Sequence, residues 1–160
     1  MINKPNTIIW HHSADPGTGH QADKINASHR VRGFTLSKLG FYGGYHILIE
    51  KDGTVVRFRN DNEIGCHTFN FNKNTLGICL AGNFETETPL PNQQIAFHRQ
   101  LKQWLELYNI KLENIKPHRF YRATACPGKK LYDTWAQEIL NDPLPEENQP
   151  ETILKHDSCQ

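Results

Sequence analysis

Apolar residues in this chain gather into short runs separated by polar stretches rich in glycine and proline. Thr7-Ile8-Ile9-Trp10 has the pattern of a short buried strand. A loop follows through Asp15-Pro16-Gly17-Thr18-Gly19. Residues 20–32 are polar and compatible with a helix that turns Ile25 and Val31 inward. Phe34 to Gly44 is a glycine- and aromatic-rich connection suited to the wall of a cleft. Tyr45–Glu50 and Thr54–Phe58 flank Lys51-Asp52-Gly53, and an Asp-Gly pair between two apolar runs signals a hairpin. Leu76–Leu80 is continuously apolar, as expected of a buried central strand. Phe97, Leu101, Trp104, Leu105 and Tyr108 form one apolar stripe and predict a helix over Ile95–Tyr108, with Pro91 suited to its first turn. His98 lies off that stripe and reads as a surface residue. Leu131, Trp135 and Ile139 recur every four residues and predict a last helix over 128–140. Residues 141–160 are rich in proline and glutamate and lack periodicity, which separates a C-terminal tail from a folded domain over 1–140. The interleaving of strands and helices predicts a single α/β domain with a mixed central sheet flanked by helices.

Composition narrows the partners more than the fold. At 160 residues the chain has the length of one domain with a core that needs no staples. Eighteen basic against 17 acidic residues leave a net charge of +1, which gives no electrostatic case for nucleic acid or an anionic membrane. No apolar run is long enough to span a bilayer. Met1-Ile2-Asn3-Lys4-Pro5 lacks the apolar segment of a secretory signal, so synthesis in the cytoplasm is expected. A monomer is expected. The four cysteines are too sparse for a disulfide scaffold. Cys79 reads as a core residue, Cys66 as a neighbour of the site, and Cys159 as an inert part of the tail.

Two segments carry chemistry. His118 and Cys126 stand within Pro117-His118-Arg119-Phe120-Tyr121-Arg122-Ala123-Thr124-Ala125-Cys126-Pro127-Gly128, and His11-His12-Ser13-Ala14 ends the first strand. Two imidazoles and a thiolate suit a Zn2+ ion that keeps its fourth position open for water. Adjacent residues of a strand face opposite sides, so one of His11 and His12 belongs to that set.

These segments resemble the zinc-dependent N-acetylmuramoyl-L-alanine amidases, a family that includes small phage amidase lysozymes, bacterial cell-wall amidases and peptidoglycan recognition proteins. Further matching pieces follow in the family's order: Arg30-Val31-Arg32-Gly33-Phe34, Gly44-Tyr45-His46-Ile47-Leu48-Ile49, Lys51-Asp52-Gly53-Thr54-Val55, Gly65-Cys66-His67, and Asn74-Thr75-Leu76-Gly77-Ile78-Cys79-Leu80-Ala81-Gly82. The match spans about residues 7–140. It implies His11, His118 and Cys126 as zinc ligands, with His12 packed or hydrogen-bonded on the other face. Tyr45 is implied as the hydrogen-bond partner of the attacking water or the developing oxyanion, and its neighbour His46 as structural. Thr124 departs from the small phage enzymes, which carry a lysine there; a hydroxyl can donate one hydrogen bond and brings no positive charge. His67 resembles a histidine near the substrate cleft. Asn74 is placed either against the glycan or as a turn residue. His20, His29, His98 and His156 have no motif context.

The implied reaction is hydrolysis of the amide between the lactyl carbonyl of N-acetylmuramic acid and L-alanine, in peptidoglycan or its muropeptides. No separate wall-binding repeat is visible, so recognition is expected in the catalytic cleft. Action on the wall after release, as in an endolysin, and action on cytoplasmic fragments both fit. Other readings are a muropeptide-binding module without catalysis, an amidase that also binds a protein such as a polymerase, and a different zinc hydrolase. Cys126 together with both histidines argues against the first, and the missing His-Glu-x-x-His helix against the last.

Overall fold

The computed structural model describes residues 1–143; the rest of the expected tail, with His156 and Cys159, lies outside the described residues. At the centre of the sheet is β4 (Thr75–Leu80), with β1 (Thr7–His12) beside it and β5 (Ile115–Pro117) on the far side of β1. β2 (Ile47–Ile49) lies beside β4, and β3 (Val55–Arg57) forms the edge. β1 runs parallel to β4 and β5, and β2 runs parallel to β4. Only the β2–β3 hairpin is antiparallel, which makes the sheet mixed as expected. Gly53 turns that hairpin at φ +90°, a conformation that suits glycine.

Side-chain alternation divides the sheet between two cores. Ile8 and Trp10 of β1, Ile47 and Ile49 of β2, and Leu76, Ile78 and Leu80 of β4 face α2 (Pro91–Tyr108) and α3 (Trp135–Asn141). Trp10 is enclosed there by Phe97 and Trp135, with ring centroids 6.3 and 5.5 Å away. Such aromatic pairs add roughly 0.5–1.5 kcal/mol each beyond area burial. Leu48 and Cys79 face the other way, towards α1 (Ala22–Val31) and a layer that includes Ile25, Phe41, Tyr45 and Phe58. Gln93, in the first turn of α2, donates to the carbonyls of Ala81 at 2.8 Å and Ile49 at 3.2 Å, which ties the helix start to the strand ends.

Three expectations are corrected. Val31 is 89% exposed, not inward. The inner face of α1 runs through Ala22, Ile25 and His29, and a residue two positions beyond His29 falls on the opposite side of a helix with 3.6 residues per turn. His98 is buried, because α3 packs across α2 and the imidazole bonds to the Leu140 backbone. The last helix begins at Trp135. The preceding residues form turns whose carbonyls serve other partners: Gly128 and Leu131 accept from the Arg119 guanidinium. No helix among the described residues is long and apolar enough to cross a membrane.

Candidate metal centre

The parity of β1 decides which histidine enters the cleft. His12 shares the side of Ile8 and Trp10, and its Nδ1 accepts the Phe84 N–H at 3.1 Å. His11 therefore faces the opposite side, where its ring centroid lies 5.1 Å from that of Tyr45. The pairing of Trp10 with Pro117 sets the next residue after β5, His118, alongside His11, with ring centroids 4.5 Å apart.

Cys126 arrives on a loop that Arg119 braces. Arg119 N–H donates to the Cys126 carbonyl at 3.0 Å. Its guanidinium reaches the Gly128 carbonyl at 3.0 Å, the Leu131 carbonyl and, at 2.6 Å, the Asp133 carboxylate. The His12 N–H points at Cys126 Sγ from 3.4 Å, and Sγ lies 3.8 Å from His11 Nδ1. The ligand atoms of His11, His118 and Cys126 all lie within 4.8 Å of one another. Zinc bonds of about 2.0–2.3 Å set tetrahedral ligand atoms roughly 3.5 Å apart, so the set has the compactness of a three-ligand centre.

The electrostatics fit a cation. Burial holds His11 well below the usual histidine range, with the neighbouring histidines adding to the effect. Burial, then the Arg122 charge, also lowers His118. Both imidazoles are thus neutral near pH 7 and have a lone pair to give. Burial pushes the Cys126 thiol up to about 12. A thiol in that setting becomes a thiolate when a metal cation coordinates its sulfur.

Above these residues lies a cleft. One part, of about 440 Å³, is lined by His11, Tyr45, His118 and Cys126 together with His29 and Arg32. A more apolar part, of about 510 Å³, is lined by Thr35, Thr68, Phe69 and Arg122, and the two share Phe34, Cys66, His67, His118 and Thr124. Burial pushes the Tyr45 phenol well above its usual value, so it stays protonated and can donate. Thr124 Oγ1 accepts the Cys126 N–H at 3.2 Å, which leaves its own proton for the cleft.

Not every candidate joins this group. His67 lines the cleft, but its ring is buried, with Nδ1 at 3.1 Å from His11 Nε2. Asn74 lies at the opposite end of β4 from the metal-facing residues, in a turn at φ +61°. Its N–H donates to Asn3 Oδ1 at 2.7 Å and its carbonyl accepts from Asn6 at 3.0 Å, and it is not among the cleft-lining residues. His46 is fully buried, takes the Gly77 N–H on Nδ1 at 3.0 Å and places Nε2 2.8 Å from the Glu63 carbonyl. His29 had no motif context, yet it lines the cleft, and its Nδ1 accepts the Gly44 N–H at 2.9 Å. Its place on the same helix face as Ala22 and Ile25 was the available signal.

A model of the N-acetylmuramoyl-L-alanine amidase family matches residues 2–129. Peptidoglycan-recognition protein SC2 of Drosophila melanogaster is 30% identical over 141 residues, which cover 85% of this chain and 77% of that protein. The endolysin of Escherichia phage T7 is 30% identical over 100 residues, 61% of this chain and 66% of its own. Among solved structures, the N-acetylmuramoyl-L-alanine amidase LysC from Clostridium intestinale superposes with a TM-score of 0.75 at 32% identity, covering 88% of each chain. Bumblebee PGRP-SA does so with a TM-score of 0.70 at 26% identity, over 91% of this chain and 90% of that one. The chain belongs to the N-acetylmuramoyl-L-alanine amidase family.

Proposed function

We propose that the protein is a zinc-dependent hydrolase of the amide bond between N-acetylmuramic acid and L-alanine, acting on peptidoglycan or its muropeptides. The observation that carries this reading is the meeting of His11, His118 and Cys126 at one end of a cleft. Zinc in such a three-ligand setting supplies Lewis acidity and brings the pKa of water down to about 7.

The chain's own residues supply the rest. His11 and His118 are neutral donors, and Cys126 contributes the one negative charge of the set. Tyr45 keeps its proton and offers it to the carbonyl oxygen as charge develops there. Thr124, fixed through the Cys126 N–H, presents a second, neutral donor. The apolar part of the cleft, with Phe34 and Phe69, lies where it can shed water from the peptide, and Arg122 adds a positive charge at its rim. Family membership and 32% identity with a solved amidase support the reaction class.

The test is mass spectrometry of purified peptidoglycan incubated with the protein, with and without a chelator. Free stem peptides beginning with L-alanine, lost on chelation and restored by zinc, are expected. Intact peptidoglycan and intact muropeptides beside fully zinc-loaded protein would overturn the reading in favour of a binding role.

A further inference from the structure

His67 uses every ring nitrogen inside the protein. Its Nδ1 meets His11 Nε2 at 3.1 Å and Thr68 Oγ1 at 3.0 Å, and its Nε2 meets Thr75 Oγ1 at 3.3 Å. The direction of these bonds follows from their far end. Thr75 Oγ1 lies 2.9 Å from the Phe71 carbonyl and 3.0 Å from the Asn72 carbonyl. Carbonyl oxygens only accept, so the single hydroxyl proton goes to them. Were it turned to the ring instead, two carbonyl oxygens would face the hydroxyl's lone pairs with no proton between. Thr75 must then accept from His67, which puts a proton on His67 Nε2.

The ring is buried with His11 and His46 beside it, centroids 5.1 and 5.9 Å away, and among the described residues no carboxylate hydrogen-bonds to it. A neutral imidazole with its proton on Nε2 has a bare Nδ1. Thr68 Oγ1 also lies within reach of that nitrogen, but two bare ring nitrogens 3.1 Å apart would repel, so His11 donates from Nε2, which leaves its own Nδ1 bare and 3.8 Å from Cys126 Sγ. The slot is built for this ring. A Cβ on Gly77 would fall 2.5 Å from its Cγ and Cδ2, and one on Gly65 would fall 2.6 Å from Cδ2.

We propose that Thr75 and His67 are positioning residues: a one-way hydrogen-bond chain, polarised by the Phe71 and Asn72 carbonyls, fixes the His11 tautomer and hands its Nδ1 to the metal. Its link to zinc rests on the metal-centre reading above, and it moves His67 from substrate contact to support of a ligand. Such outer partners orient the ligand ring and raise its basicity.

The tautomers are read directly from the imidazole nitrogen spectra of ¹⁵N-labelled protein stripped of metal. Protonated Nε2 and bare Nδ1 are expected for both His11 and His67. Zinc affinity, measured by chelator competition, should fall about tenfold in Thr75→Val, which keeps the shape and removes the acceptor. Thr75→Ser, which restores the hydroxyl, should recover it. A proton on His67 Nδ1 in the unaltered protein, or a folded Thr75→Val variant with unchanged zinc affinity and tautomers, would overturn the proposal. Absence of zinc uptake by the unaltered protein would instead sink the metal-centre reading, and the ring spectra would still decide the chain.

Discussion

Gly77 and His67 compete for one volume: a Cβ on the glycine would stand 2.5 Å from two ring atoms of the histidine. The glycine sits in the middle of β4, where a residue without a side chain otherwise weakens a strand. Its absent side chain is what lets the His67 ring lie against the sheet and reach His11. Gly77→Ala should therefore push the ring out of its slot. Overpacking of this kind costs about 1–3 kcal/mol, read as a lower urea midpoint at unchanged slope. The same variant should hold zinc more weakly. Wild-type stability together with wild-type zinc affinity would mean that the ring is not confined there.

Cys126→Ser tests the ligand set itself. Serine keeps the size and the N–H contact from His12 but cannot supply a thiolate. The protein should fold, lose zinc on dialysis at neutral pH, and release no stem peptide from peptidoglycan. Metal content by elemental analysis and product mass spectrometry check both halves. A zinc-free variant with full activity would remove Cys126 from the mechanism.

Parity and local motif made part of this centre readable before any coordinates. His11 and His12 differ by one strand position, so only one side of the sheet is available to each, and His118 and Cys126 share one short segment. The buried strands and the Asp-Gly hairpin were also readable, because period and turn chemistry are local. One miss was a matter of helix period and the others are tertiary. Val31 lies opposite the inner face of α1. His98 needed α3 above it to become buried. The turns after Gly128 exist because Arg119 takes their carbonyls. The Thr75–His67–His11 chain depends on residues 66–72 folding back over β4, where Asn72 Oδ1 holds the His67 and Thr68 N–H groups at 2.8 Å each. No spacing in the sequence encodes that contact.

Tyr45→Phe separates chemistry from metal binding. The ring sits beside His11, and burial keeps its phenol protonated. Removing only the hydroxyl leaves the packing and the three ligands in place. Zinc stoichiometry should be unchanged while kcat falls about 10²-fold, the scale of one lost oxyanion donor. Because the bond is made in the transition state, kcat/KM should fall by a similar factor. An unchanged rate would return Tyr45 to a packing role.

Acid should unfold this protein through its buried histidines. Burial holds His46 at about 4, and His29 at about 4 as well, against 6.5 for an ordinary histidine. His46 is fully buried with both ring nitrogens bonded, so a second proton has no place in the fold. The unfolded chain protonates below about 6.5 while the folded His46 does not until about 4. Across that window the unfolded state binds more protons, so stability falls as pH falls. One histidine contributes a slope of about 1.4 kcal/mol per pH unit, or on the order of 3 kcal/mol across the window for His46 alone. His29, which is buried at the cleft wall, acts in the same direction. His11 and His67, also lowered by burial, act in the same direction. Urea midpoints of the metal-stripped protein should therefore be highest near neutrality and drop steeply between about pH 6.5 and 4. A flat profile over that range would mean that these rings accept protons inside the fold.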